Sequence, residues 1–280
     1  MKKYSIYLFT IAFFTLLASA EGYSQSRKFI KNGSFYFSWG YNMEWYGPSN
    51  LHIVQPSMGN DYTFEKVEAH DRIGWDRVFQ VPVTIPQYNY RVGYFFNEAQ
   101  DLGIELSFDH TKYIISQGQT VHVSGKINDV QTDRDIVLTD SVLRYQLNNG
   151  ANFFLINIVK KVDMKALTSG QGNIKTALLL KAGIGPVVPH VENTIFTKDN
   201  VPHFQLGGWN TGVEIALKTV LYKHVYLEFC NKVDYARYSQ LRIYNGLANH
   251  SFFTYEIILN MGYTFNLGKH CKDCPARSDM

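Results

Sequence analysis

Covalent cross-links are nearly missing from this 280-residue sequence, which has three cysteines, Cys230, Cys271 and Cys274. That is too few to build a disulfide scaffold in a chain of this length, so the core must come from packed elements. After the first twenty residues there is no run of 18 or more apolar residues, which excludes spanning a membrane with α-helices. Charge of one sign is also lacking: 27 Lys and Arg stand against 24 Asp and Glu, without the basic excess that phosphate-backbone binding draws on. No long internal repeat and no internal domain boundary is visible.

The first twenty residues form a separate unit. Lys2 and Lys3 supply a positive start, Ile6 to Leu17 is almost unbroken apolar sequence, and the small residues Ala18-Ser19-Ala20 follow. This is the pattern of a secretory signal, too short for a membrane anchor. Cleavage is expected near Ala20, or as late as Gln25. Removing residues 1–20 takes away two lysines and no acids, and leaves a formal charge of +1.

What remains is rich in aromatics. They make up 15% of the chain, with 19 Tyr and 19 Phe, yet mean hydropathy is slightly negative at −0.18. Both hold together if each strand is apolar on one face and polar on the other. Period-two alternation, which puts successive side chains on opposite faces, recurs in eight segments: about 33–46, 87–97, 103–115, 150–162, 174–187, 207–221, 225–238 and a last one through Phe253 to Phe265. The first, for example, sets Phe35, Phe37, Trp39 and Tyr41 against Tyr36, Ser38, Gly40 and Asn42.

The links alternate in length. Those at about 47–86, 116–149, 188–206 and 239–251 are long, whereas those at about 98–102, 163–173 and 222–224 are short. Short turns on one side and long loops on the other are the habit of membrane-spanning β-barrels. The expected architecture is therefore all-β: a transmembrane antiparallel barrel of about eight strands, with long extracellular loops and short periplasmic turns.

The polar face carries Glu44, Arg91, Glu105, Asp109, Lys181, Glu214, Lys218, Glu228, Lys232, Asp234 and Glu256 among small residues. Charges of both signs suit a narrow interior where they pair, because isolated buried charge is expensive. A soluble ligand-holding barrel would put the apolar face inside instead. An eight-stranded interior is just wide enough for side chains to fill, which favours a packed polar core over an open pore.

The segment Asn260-Met261-Gly262-Tyr263-Thr264-Phe265-Asn266-Leu267 resembles the C-terminal assembly signal of outer-membrane barrels. With the export signal and Gly93-Tyr94-Phe95-Phe96, the chain is similar over about residues 33–267 to small outer-membrane barrels of the OmpA, OmpX and OmpW kind. A Gln25-type signal ending looks like those of Bacteroidota. The resemblance implies a cell-outer-membrane location, with outer-membrane lipid and the barrel-insertion machinery as partners. One departure is the polar tail 268–280, since such barrels often stop at the last strand.

Three functions follow as alternatives. The first is a structural or surface-interaction protein whose extracellular loops carry specificity for a ligand the sequence does not name. Their charge is densest in the first loop, at Glu65, Glu68, His70, Asp71, Arg72, Asp76 and Arg77, where a solvated, salt-bridged loop is the plain reading. The second is a lipid A acyl-ester hydrolase, for which His250, Ser251 and Glu256 are the candidates. Adjacent residues on a strand point to opposite faces, and deacylase barrels space their histidine and serine by two. The third is a narrow channel for small solutes. His270, Cys271 and Cys274 lack the helix start of a redox motif and the fourth ligand of a tetrahedral metal site, and Cys230 reads as a small packed residue. No catalytic, cofactor-binding or metal-binding residue, and no cofactor, is assigned.

Overall fold

The structure is a computed structural model and describes residues 33–72, 87–96, 101–164 and 175–266. The segment 1–20, the residues Asp76 and Arg77, and the tail with His270, Cys271 and Cys274 lie outside the described residues. No helix among the described residues is long and apolar enough to cross a membrane. Extended chain dominates. The first insertion and its flanks contain β1 (Ser34–Tyr46), β2 (Ser49–Gln55), β3 (Asn60–Val67), β4 (Ala69–His70) and β5 (Tyr88–Phe95). There follow β6 (Leu102–Asp109), β7 (Tyr113–Ile115), β8 (Thr120–Ile127), β9 (Val130–Val137), β10 (Leu143–Leu147) and β11 (Phe153–Asp163). The remainder is β12 (Lys175–Val187), β13 (His190–Ile195), β14 (Lys198–Asp199), β15 (His203–Phe204), β16 (Gly208–Tyr222), β17 (Val225–Ile243) and β18 (Gly246–Asn266).

Eight of these strands close a ring in the order β1, β5, β6, β11, β12, β16, β17, β18 and back to β1, each antiparallel to its neighbours. The closing pair runs in unbroken register from Ser34 opposite Asn266 to Tyr46 opposite Thr254. Closure leaves no sheet edge in the wall. Inside and outside alternate as the polar and apolar periods require: all eleven charged residues of the polar face are buried, while Leu106, Ile156, Ile158, Ile215, Leu259 and Met261 stand exposed on the outer wall.

The lower end of the ring holds the start of β1, the end of β18 and the turn at 223–224 between β16 and β17. At the upper end the chain behaves differently from the sequence expectation. The stretches 47–86, 116–149 and 188–206 contain further strands, not merely loops, and the stretch 239–251 is not a long loop. It is the upper half of a single hairpin, with β17 and β18 paired as far as Ile243 opposite Gly246 and Asn245 turning at φ 49°. The expected strand 103–115 is likewise two strands: β6 ends at Asp109, and Tyr113–Ile115 belongs to another sheet.

Above the rim, β18 pairs with β2, and the sheet continues through β3 and β8 to β9. A second sheet, β14-β13-β10-β7-β4 with β15 against β13, contributes the other part of one core. Leu51, Ile53, Tyr62, Phe64, Val121 and Val123 from the first sheet share it with Tyr113, Ile115, Leu143, Tyr145, Leu147, Val191 and Ile195 from the second. The insertions thus form a folded head with a hydrophobic core of its own, rooted on the upper rim through Phe153, Val187, Tyr238 and Phe252.

Candidate functional site

The lumen is the first place to look for a site. Three cations there tie together six carboxylates. Arg91 Nη1 lies 2.6 Å from Asp109, Nη2 3.5 Å from Glu214 and Nε 3.7 Å from Glu105. Lys181 Nζ reaches Glu105 at 3.0 Å, Glu214 at 2.9 Å and Glu228 at 2.6 Å. Lys232 Nζ reaches Asp109 and Asp234 at 2.7 Å and Glu256 at 3.2 Å. The shared acids make one connected network up the middle of the barrel. Glu214, Glu228 and Cys230 place metal-type ligand atoms close together, but the Lys181 ammonium already sits between the two carboxylates.

Both ends of this network are stoppered. Below it, Tyr36, Phe95, Tyr226, Val159 and Leu179 form a small apolar cluster. Lys218 lies 3.7 Å from the centre of the Tyr226 ring and 5.0 Å from that of Tyr36, a cation held on aromatic faces. The stopper needs glycine opposite each tyrosine: a Cβ on Gly93 would come within 2.1 Å of the Tyr36 ring, and one on Gly262 within 2.2 Å of Tyr226. Above the network, Tyr46, Phe153, Tyr238 and Phe252 belong to or pack against the head core. Packed charge and apolar clusters fill the interior between the described strands.

The wall is also sealed beside β1, whose upper residues extend past the start of β5. The Glu44 amide N–H there donates to Asp71 at 2.8 Å, and the Glu44 carboxylate accepts from Asn42 and Gln87, both at 2.5 Å. Asp71 therefore does not belong to a freely solvated loop. Nor do its sequence neighbours: His70 Nδ1 is 3.1 Å from Ser116 Oγ, Ser124 donates to Glu65 at 2.7 Å, and the Glu68 backbone exchanges two bonds with Gln119.

The hydrolase candidates do not converge. His250 is buried in the head, Ser251 is on the opposite face of β18, and Glu256 is in the lumen. Nor is His250 at a loop end; it is inside a strand, boxed by Tyr113, Tyr145, Tyr238 and Phe252 with ring centroids 5.0–5.4 Å away. Its nitrogens lie 3.4 Å from Ser49 Oγ and 3.2 Å from Tyr145 OH. Burial pushes its pKa down to about 3, so it is neutral at ordinary pH. Among the described residues its ring nitrogens meet two hydroxyls and no acid, and the side chain is buried, so it lacks the orienting carboxylate of a catalytic base.

The other candidate surface is the solvent face of β2, β3, β8 and β9. On these strands Leu51, Ile53, Tyr62, Phe64, Val121 and Val123 point inward, so their neighbours point out. His52 Nε2 lies 2.8 Å from Asp61, and His122 is held between Asp133 at 2.8 Å and Asp135 at 3.0 Å. The carboxylate of Asp135 raises the His122 pKa. Period two alone could have found this face, had alternations as short as Leu51-His52-Ile53 been given weight.

The outer wall completes the picture. Its outward side chains are mostly apolar, aliphatic at mid-height on β6, β11, β12 and β16, with rings at mid-height on β1 and β5, where Phe37 lies beside Tyr90 and Trp39 beside Tyr41. Further rings pair toward the ends: Trp45 with Tyr255, Tyr88 with Phe108, Phe108 with Phe154, and Tyr235 with both Trp209 and Phe253 above; Phe35 with Tyr94 and Tyr263 with Phe265 below. Aromatic girdles around an apolar band, an even number of antiparallel strands and a polar interior define a transmembrane β-barrel of the outer-membrane type.

No protein-family model matches the chain, and no curated protein matches it. Among solved structures it is similar to Ail, the attachment invasion locus protein of Yersinia pestis, at 13% identity and a TM-score of 0.33, covering 84% of this chain and 100% of that one. Neisserial surface protein A is similar at 9% identity and 0.31, covering 82% and 96%. The outer membrane protease OmpT from Escherichia coli is similar at 9% and 0.35, covering 87% and 100%. Likeness at this level carries no argument about function; the class rests on the wall, the girdles and the lumen described above.

Proposed function

We propose that this protein displays a folded interaction module at the cell surface, with the barrel as its anchor and the solvent face of β2, β3, β8 and β9 as its contact surface. The observation that carries this reading is the head itself: its insertions have a buried core and present a fixed polar face, where a bare anchor would need only turns. Asp61, Asp133 and Asp135 are well exposed on it, so a partner with a basic surface fits best. Outer-membrane lipid and the insertion machinery that reads residues 260–267 are the other partners in this proposal. A Gln25-type signal ending, the later of the two expected cleavage points, is what supports a Bacteroidota source.

Neither alternative has comparable support. A channel would need a lumen free of the two plugs, and a hydrolase would need His250, Ser251 and an acid on one accessible patch. The test uses the full chain purified in detergent, with binding to immobilised cationic and anionic peptides measured beside the variant Asp61→Asn/Asp133→Asn/Asp135→Asn. Preference for the cationic peptide, lost at least tenfold in the variant, is expected. Equal binding by both proteins, steady conductance in a planar bilayer, or release of fatty acid from lipid A would each overturn the proposal.

A further inference from the structure

The apolar belt does not end at the same height all round. On β17 and β18 the outward positions above Tyr235 and Phe253 turn polar at once, with Arg237, Ser251 and Asn249. On β12 and β16 they do not: Ile184 is 60% exposed, Pro186 follows it outward, and Trp209 stands opposite Pro186. The chain then continues upward as a ribbon. Gly207 N–H donates to Val187 at 2.9 Å, Gln205 N–H to Pro189 at 3.2 Å, and Phe204 pairs with His190.

One face of this ribbon is inside the head, where Val187 and Val191 are fully buried. The other face points out with Leu206 at 73% and Phe204 at 58% exposure, and Val201, just before β15, reaches 83%. These side chains are held there by the fold. Gln205 donates to the Gln240 carbonyl at 3.1 Å and accepts from the Arg242 amide at 2.9 Å, and the Ser239 amide donates to Gly207 at 2.7 Å. The ribbon is clamped to β17, and its own outward positions from Ile184 through Pro186 and Leu206 to Phe204 carry no Asp, Glu, Lys or Arg; His190 lies ring to ring with Phe204, and Arg237 of β17 is the partner of Trp209.

We infer that this ribbon lies on the outer leaflet of the membrane and inserts Leu206 and Phe204 among the lipid headgroups, a reading that rests on the barrel spanning the membrane as proposed above. Height agrees. Strands rise about 3.3 Å per residue and tilt by about 40°, so Leu206 lies roughly 8 Å above Trp209. Interfacial elements bury their apolar face about 5–10 Å deep around the headgroup boundary. Continuity with the belt and the lack of Asp, Glu, Lys or Arg on the ribbon's own outward face favour lipid over water. The head is then fixed in rotation and tilt relative to the membrane plane by a contact on one side.

The experiment reconstitutes the full chain, in a Cys271→Ser/Cys274→Ser background, into phosphatidylcholine and phosphatidylglycerol vesicles. An environment-sensitive fluorophore is placed by Leu206→Cys, by Ile215→Cys in mid-belt, or by Asp133→Cys on the water-facing surface of the head, and spin-labelled lipid is added as quencher. Quenching at least threefold stronger for Leu206→Cys than for Asp133→Cys, with Ile215→Cys strongly quenched, is expected. Equal, weak quenching at the Leu206 and Asp133 positions with Ile215→Cys still quenched would overturn the inference alone. An interchain disulfide through unlabelled Leu206→Cys, with no lipid quenching at the labelled position, would assign the patch to a second copy and also overturn it. Loss of quenching at Ile215→Cys would remove the membrane-spanning reading and this inference together.

Discussion

Two halves of the hairpin β17–β18 obey opposite rules. Below the rim, inward positions are Glu228, Lys232, Asp234 and Glu256, and outward ones are Phe229, Val233, Leu259 and Met261; above it, inward positions are Leu241, Ile243 and Ala248, and Arg242 points out. The switch falls between Asp234 and Ala236 on β17 and between Thr254 and Phe252 on β18, below the register shift between Tyr238 and Leu241 where Gln240 has φ 56°. Hydrogen bonding is the same in both halves. What differs is the solvent outside: lipid tails reward apolar side chains outward, and water rewards them inward. One continuous strand pair therefore belongs to two cores.

The comparison is broken most severely in the lumen. Lys181→Met leaves Glu105, Glu214 and Glu228 without their shared ammonium, and removing one partner from a buried ion pair costs about 3–5 kcal/mol. The expected result is a much lower urea midpoint for the heat-modifiable band on gels, partly restored by adding Glu228→Gln. An unchanged midpoint would mean that the network contributes little to the wall.

Leu51→Ala should act on the head instead. A buried leucine truncated to alanine costs about 2–5 kcal/mol, so limited proteolysis should clip the insertions while the barrel band still shifts on boiling. Simultaneous loss of both would show that head and barrel unfold as one unit.

Acid should separate them next. His250 has a folded pKa of about 3 against an ordinary value of 6.5, so between those values the unfolded chain binds the proton and the folded head does not. Stability is therefore full above about pH 6.5 and falls as the pH drops toward 3. Protease sensitivity of the head against pH should show this loss in the native chain, and His250→Phe should flatten it.

The smallest effect is expected at His122, whose pKa is raised and whose ion pairs are on the surface. Its stabilisation is present below the ordinary histidine value and is lost as the pH rises through the raised one. Amide exchange in β8 and β9 should quicken slightly on that rise, and 0.5 M salt should abolish the difference.

Much of the barrel was legible from alternation and the spacing of links, because a wall with lipid on one side and packed charge on the other needs a long, regular period of two. The head was not, for a physical reason. Its strands are short, as in Ser49–Gln55 and Leu143–Leu147, and their alternations last four or five residues between turns. The partners are also remote: Tyr62 and Phe64 share a core with Tyr145 and Ile195. The loop acids Glu65 and Asp71 looked solvated because nothing local reveals that Ser124 and the Glu44 amide are their partners.

By itself the sequence determined which faces are polar, how many strands close the wall and which charges share its interior, since these follow from periodicity along single segments. Tertiary structure alone decided that the insertions fold into a head, that His250 is enclosed by aromatic rings away from any acid, and that Leu206 and Phe204 extend the belt on one side. Those outcomes depend on contacts between residues dozens of positions apart, which no local pattern encodes.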